Sequence, residues 1–284
     1  MQVFSRVIRE ITPPIILKTF HNFSWQVSDH NDDLLNMDQA TIDIQSVQPS
    51  TLACFIGQPV FLLPVNSLRY WGGIPYNYTA HHFMQYYKDG LPALIRYYET
   101  HHPENLFEEH FLPTPVRLES IANEQLGSWL SNVPWLYKEI PEVQNGEKGL
   151  STKDGNQAYG PVSDQKITLE AKRLDSILYS IQINGFKPLE FDGYPRGYFL
   201  MDDEDSWVFL IREGFHRIAA LAHLGYTQIP VRFKPLYPRV IRQTDSGEWP
   251  MVKLGYLQED EALDIFMQYV RATAGLSSYP VLKD

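Results

Sequence analysis

The sequence predicts an α+β fold, and three patterns in it carry that prediction. Trp207 to Ile211 is a bulky, partly β-branched run that leads through Gly214 into Phe215-His216-Arg217 and a stretch of good helix formers closed by Gly225, the signature of strand, tight turn and short helix. Thr41 to Leu63 alternates in places, at Ile42, Ile44 and Val47, as two or three strands would. His81 to His101 sets Phe83, Met84, Tyr87, Leu91, Leu94, Ile95 and Tyr98 at helical spacing on one broad stripe,. With 284 residues, 44% hydrophobic and 13% aromatic, the chain has ample material for a core,.

Taken in chain order, Met1 to Phe23 mixes apolar and basic residues around Ile11 to Leu17. Packing against its own domain is the first expectation for it, and weak contact with a membrane surface the second. Arg6, Arg9, Glu10, Lys18 and the Pro13-Pro14 pair break the apolar pattern of a signal peptide,. No apolar run approaches bilayer length, so no transmembrane segment is expected. The single cysteine, Cys54, lies in Leu52-Ala53-Cys54-Phe55-Ile56 and reads as a buried, inert thiol,. Without a disulfide framework, a cytoplasmic location is the expectation.

Trp71-Gly72-Gly73-Ile74-Pro75 has the composition of a loop, and no Gly-Lys-Ser or Gly-Lys-Thr follows it to make a phosphate loop,. Gly90 and Pro92 divide the helical stripe into two short helices,. The pairs His81-His82 and His101-His102 are expected to point their members to different sides of a helix, which makes no chelating face. Trp71, Tyr76 and the other clustered aromatics are read as core and loop packing, with carbohydrate stacking as the alternative for Trp71 and Tyr76. Asn132 to Gly155 reads as a linker, or as a lid over a nucleotide.

Met201-Asp202-Asp203-Glu204-Asp205 reads as a solvated hairpin turn whose carboxylates could alternatively hold magnesium,. Arg239 to Val252 reads as strand, turn and strand around Asp245 to Gly247. A final helix over Glu259 to Ala274 is expected to turn Leu263, Phe266, Met267 and Val270 inward,. The chain divides into an N-terminal strand-and-helix region, residues 1–155, expected to set substrate or partner specificity, and a second region, residues 156–284.

The chemistry concentrates at Gly214 to Arg217. A glycine lets an oxyanion approach the backbone where a helix begins, and the first-turn N–H groups and the helix dipole favour an anion there. Arg217 beside them is a cation at the unfavourable end of the dipole and calls for a compensating anion. His216 can contribute to the same seat, or cap the turn through a backbone carbonyl.

The segment from roughly Gly160 to Phe233 resembles the ParB/sulfiredoxin superfamily. The residues that carry the likeness are Gly214, Arg217, Ala219-Ala220, Gly225 and Ile229-Pro230-Val231, preceded by the helix-like Leu174 to Gly185 with its Ser180-Ile181 pair. The resemblance implies that residues 156–284 form a small mixed sheet with flanking helices, and that nucleotide phosphate sits on the turn of Gly214, Phe215, His216 and Arg217. Within the superfamily, partition proteins bind and hydrolyse CTP, sulfiredoxins use ATP to repair an over-oxidised cysteine, and free serine kinases phosphorylate a small molecule from ADP. Sulfiredoxin chemistry needs a cysteine before the His-Arg pair, where this chain has Phe215,. A DNA-binding partition protein needs a downstream helix-turn-helix and basic surface, whereas this chain has 24 Lys and Arg against 34 Asp and Glu and about fifty residues after Val231,. No nucleic-acid partner is therefore expected.

The kinase branch remains, with a second class beside it: a regulatory or scaffold protein that binds nucleotide without transferring a phosphoryl group. By resemblance to the serine kinases, a glutamate before the family helix is the base. Glu170 is favoured over Asp164, and its bland alternative is a first-turn acid pairing with the dipole and with Arg173. Ser163, Lys166 and Arg173 are candidate phosphate or nucleotide contacts, each with a surface-residue alternative. ATP or ADP with Mg2+ is the expected cofactor set, no residue is assigned as a metal ligand, and the acceptor is a hydroxyl-bearing metabolite or sugar. Met1 to Phe23 is similar to short segments in enzymes of bacterial surface-glycan gene clusters, which points the acceptor towards polysaccharide biosynthesis.

Overall fold

The computed structural model describes residues 41–43, 49, 59–119, 126–127, 129–137, 148–190, 193–203 and 206–271. Within them, strands β1 (Thr41–Asp43), β2 (Val60–Pro64), β3 (Leu68–Arg69), β4 (Arg196–Met201), β5 (Trp207–Glu213), β6 (Gln228–Phe233) and β7 (Val240–Arg242) form one seven-stranded mixed sheet. The order is β1-β2-β6-β4-β5-β3, with β7 also beside β4. Pairs β2–β6 and β4–β5 are antiparallel, and β1–β2, β4–β6, β3–β5 and β4–β7 are parallel. The protein is therefore α+β, as its sequence predicts.

Seven helices accompany the sheet among the described residues: α1 (His82–Asp89), α2 (Leu91–Thr100), α3 (Leu106–Glu109), α4 (Asp164–Asn184), α5 (Phe215–His223), α6 (Pro250–Lys253) and α7 (Glu259–Arg271). None is long and apolar enough to cross a membrane. The break between α1 and α2 falls at Gly90, whose φ of 76° an L side chain rarely adopts, and Pro92 then lies in the first turn of α2,.

Both faces of the central strands are buried, which is why Val208 to Ile211 is a continuous apolar run rather than an alternating one,. Because successive side chains point to opposite faces, Tyr198, Leu200, Val208 and Leu210 join a core with Trp129, Trp135, Trp249, Phe266 and Tyr269. Phe199 and Phe209 belong to the other face, where Phe199 meets Phe61, Phe209 and Phe233 edge to face at centroid distances of 5.7, 4.9 and 5.9 Å,.

The expected division after residue 155 does not fall at a break in the sheet. Strands β2 and β3 precede it, and they pair with β6 and β5, which follow it. Four expectations need correction. The start of the presumed linker is core: Val133 and Trp135 are buried, and Trp135 Nε1 donates to Tyr198 Oη at 3.0 Å. After β7 the chain forms a 3-10 turn and then α6 instead of a second strand, because Pro250 presets the helical first turn and Trp249 and Met251 are drawn into the core,. In α7, Ile265, Phe266, Tyr269 and Val270 are the buried apolar side of the stripe, while Leu263 and Met267 pack at its margin.

The fourth concerns the histidines. His81 is the N-cap of α1 with extended backbone, so its ring does not follow helical spacing, and it stacks on His82 at 5.1 Å and 13°. Both rings are buried among Tyr70, Tyr76 and Tyr97. His101 stacks on Phe111, while the His102 ring bonds the Tyr98 carbonyl. Met201 and Trp207 close a hairpin turn in which Ser206 N–H donates to Asp202 at 2.8 Å. The readings of Met1 to Phe23, Ile44, Val47, Cys54, Glu204 and Asp205 lie outside the described residues, as does part of Asn132 to Gly155.

Candidate anion-binding site

The site is built where α4 meets α5. Ser163 starts α4 by accepting the Lys166 N–H on its hydroxyl at 3.2 Å, and Gly185, with φ of 74°, ends it,. Glu170 lies in the second turn of this helix and not the first, 0% exposed. Helical spacing places Lys166 one turn before it and Arg173 one turn after it. Lys166 Nζ and Arg173 Nη1 each donate to Oε1 of Glu170 at 2.9 Å. Its other oxygen, Oε2, lies 2.5 Å from His216 Nε2.

His216 comes from the β5–α5 turn. Gly214 caps α5 with φ of 87°, and a Cβ there would come within 3.0 Å of Pro195 Cα, so both conformation and space require glycine,. Helix α5 buries Phe215, Ile218, Ala219, Ala220 and Leu221, and it ends at Gly225, where Tyr226 N–H donates to the Leu221 carbonyl at 3.1 Å,. Burial of this face fixes the rotation of the helix and turns His216 and Arg217 to the α4 side. Phe83 of α1 stacks on the His216 ring at 4.5 Å and 20°. Arg217 Nη1 donates to the Gly193 carbonyl.

A cavity of about 760 Å³ opens between these elements. Gly214, Phe215, His216 and Arg217 line it on one side, and Arg173 and Lys172 of α4 on another. Arg212 of β5 and Lys148 add two more cations, and among the described residues Glu213 is the one acidic group that lines it. That carboxylate already bonds Lys234 and, at 3.4 Å, Arg196. A cavity with this charge balance, at a helix N-terminus whose first N–H groups lie outside the helical ladder, is suited to an anion.

Burial raises the pKa of Glu170, but the hydrogen bond and charge of His216 and then those of Lys166 outweigh it and hold the carboxyl below its ordinary value,. A second buried acid, Glu109 at the end of α3, goes the other way. Burial pushes it up to about 8, against the weaker opposing pull of the Ser131 N–H and the Arg212 charge. Burial also lowers His81 to about 3 and His82 well below its ordinary value, so both rings are neutral packing elements and not proton carriers near pH 7.

The residues expected at the site thus separate into groups. Gly214, Phe215, His216, Arg217 and Arg173 reach the cavity. Glu170 is brought to His216, whereas Asp164 is exposed in the first turn of α4. Ser163 and Lys166 are not among the lining residues: the serine caps the helix and the lysine is buried against Glu170. The His216 ring bonds a carboxylate and not a backbone carbonyl. Tyr76 is buried and Trp71 lies beneath the Arg212 guanidinium at 3.8 Å, which removes the sugar-platform reading for Tyr76 and gives Trp71 another partner. Arg212, Lys172 and Lys148 were missed. The signal for Arg212 was its charge at the end of an apolar strand, two positions before the turn glycine.

Among the described residues no group of three His, Cys, Asp or Glu is placed to hold a metal ion. No protein-family model matches the chain, and neither a curated protein nor a solved structure is similar to it.

Proposed function

We propose that the cavity binds the phosphates of a nucleotide, ATP or ADP, and that the protein is a small-molecule kinase acting on a hydroxyl-bearing metabolite or sugar, as in surface-glycan biosynthesis. The observation that carries this reading is the His216–Glu170 pair at the wall of a cation-lined cavity, beside a helix N-terminus. Gly214 and the first turn of α5, with Arg217, would receive phosphate oxygens. Lys172, Arg173 and Lys148 would offset the charge that gathers on the phosphates.

The geometry favours a different base from the one the resemblance implies. Glu170 is wholly buried and engaged by three donors, so an acceptor hydroxyl cannot reach it. When neutral His216 donates Nε2–H to Glu170, its Nδ1 holds the lone pair, and that nitrogen has no partner among the described residues,. His216 is then the group that accepts the hydroxyl proton, and Glu170 sets its tautomer and orientation. The order helix α4, strands β4 and β5, glycine turn, α5 and β6 supports a ParB/sulfiredoxin-like fold for this part of the chain. Phe83 against His216 and Lys148 in the cavity wall support a share for residues 1–155 in choosing the substrate.

A second reading, nucleotide binding without transfer, is favoured by one observation: Glu213, the one acidic lining group among the described residues, is already paired with Lys234 and Arg196,. Calorimetry with ATP and ADP, followed by a turnover screen against hydroxyl acceptors with and without Mg2+, separates the two. The kinase reading expects His216→Ala to lower turnover roughly 100- to 10,000-fold with nucleotide affinity changed only severalfold. Nucleotide binding with no product from any acceptor leaves the second reading. No binding of either nucleotide overturns both.

A further inference from the structure

The cations around the cavity are not equivalent. Arg173 shares the Glu170 carboxylate with Lys166, and Arg217 donates to the Gly193 carbonyl. Among the described residues Arg212 has neither kind of partner. Its guanidinium lies flat on the Trp71 ring at 3.8 Å, with Tyr237 at 5.9 Å, and its Nη1 is buried without a hydrogen bond. The acid whose charge bears on it is Glu109, one oxygen of which, Oε1, is also buried without a partner. Burial keeps Glu109 protonated at neutral pH, so it does not neutralise the arginine. A guanidinium held rigid by an aromatic face, sunk in a low-dielectric wall and left uncompensated, is arranged for an anion that arrives from outside.

We infer that Arg212 is a specificity-determining residue that binds a second oxyanion group, so that the cavity selects a ligand carrying two anionic groups over one carrying a single phosphate. This rests on the reading that the α5 turn seats the first phosphate. The second group is an oxyanion on the same molecule, either the next phosphate of a polyphosphate chain or a carboxylate. The sequence supports the placement, since Arg212 is fixed by β5 two residues before Gly214 and its stacking partner comes from the Trp71–Gly73 turn, a part of the chain remote in sequence.

The test is calorimetry on the full chain, without metal, using four probes: orthophosphate, pyrophosphate, glycerol 3-phosphate and 3-phosphoglycerate. The expected result is at least a tenfold preference for pyrophosphate over orthophosphate, or for 3-phosphoglycerate over glycerol 3-phosphate. The first outcome identifies a phosphate as the second group and the second outcome a carboxylate. Arg212→Gln should abolish that preference, weakening pyrophosphate or 3-phosphoglycerate at least tenfold more than orthophosphate. Arg212→Lys, which keeps the charge and loses the planar fork, should retain part of it, and it provides the comparison should the glutamine variant fold poorly. Orthophosphate binding with no preference for either bisanion, or a preference that both variants preserve in full, overturns the role of Arg212 alone. Failure of all four probes to bind the parent protein overturns the phosphate seat itself.

Discussion

Glu170 and Glu109 lie almost equally deep, at 0% and 2% exposure, yet their surroundings drive them to opposite charge states. Glu170 is met by Lys166, Arg173 and His216 and is held ionised. Glu109 receives one backbone N–H, from Ser131 at 2.8 Å, and is held protonated well into the neutral range. Depth alone therefore decides neither group. What decides is whether the fold supplies donors in number sufficient to replace lost hydration. The contrast also separates the cavity's cations: Arg173 shares an ionised carboxylate, whereas Arg212 has only a protonated acid beside it.

The largest effect should come from breaking the satisfied side. In Glu170→Gln the shape is kept and the charge is lost, leaving Lys166, Arg173 and His216 crowded around a neutral amide. Removing one partner of a buried ion network costs about 3–5 kcal/mol, and denaturant unfolding at neutral pH measures it. A loss below about 1 kcal/mol would mean that the network is hydrated and that the comparison with Glu109 has no energetic content.

A smaller effect, with a definite sign, should come from the unsatisfied side. The carboxyl of Glu109 has its pKa raised from an ordinary 4.5 to about 8 in the folded protein. The folded state therefore keeps a proton that the unfolded state releases. The associated stability is complete below about pH 4.5 and is lost progressively as pH rises through about 8, at up to ~1.4 kcal/mol per pH unit. Glu109→Gln mimics the protonated form and can still accept the Ser131 N–H. Its stability advantage over the parent should grow between about pH 5 and pH 8 and then level off. Parallel stability curves for parent and variant across that interval would show that Glu109 ionises freely, and would remove the argument that Arg212 lacks an internal counter-charge.

The sequence made one side of this comparison legible and not the other. The β4–β5 hairpin, the Gly214 turn and α5 follow from residue pattern and glycine placement, which are local properties, whereas β6 and α4 rest on the resemblance, which reads the helix only from Leu174 although it begins at Asp164,. Glu170, His216, Arg217 and Arg173 could be named because they lie on or beside those elements. Their partnership is a tertiary fact: that Glu170 would be saturated, and so unable to serve as base, depends on how α5 rotates against α4. Glu109 was unreadable for the same reason, and Arg212 showed only as a charge at the end of an apolar strand. Their environments are made by Ser131, Trp71 and Tyr237, which no spacing rule connects to them. His81 and His82 failed differently, because helical spacing was applied one residue before the helix begins.

The smallest predicted effect separates support from ligand contact at the start of α4. Ser163 is a plausible phosphate ligand by sequence, but in the fold its hydroxyl accepts the Lys166 N–H and it does not line the cavity. It also helps to hold the exposed Asp154 carboxyl below its ordinary value, chiefly through a side-chain hydrogen bond. Loss of an N-cap serine costs about 1 kcal/mol, so Ser163→Ala should lower the unfolding free energy by about that amount. Lys166 and Glu170 stand within the two turns that this cap begins, yet their pairing is buried and has its own donors, so nucleotide and phosphate affinities should stay within about twofold of the parent. Unchanged stability with a tenfold loss of phosphate affinity would return Ser163 to the ligand. It would then follow that the cavity reaches further along α4 than its lining residues indicate, and that the satisfied side of the wall takes a direct part in recognition.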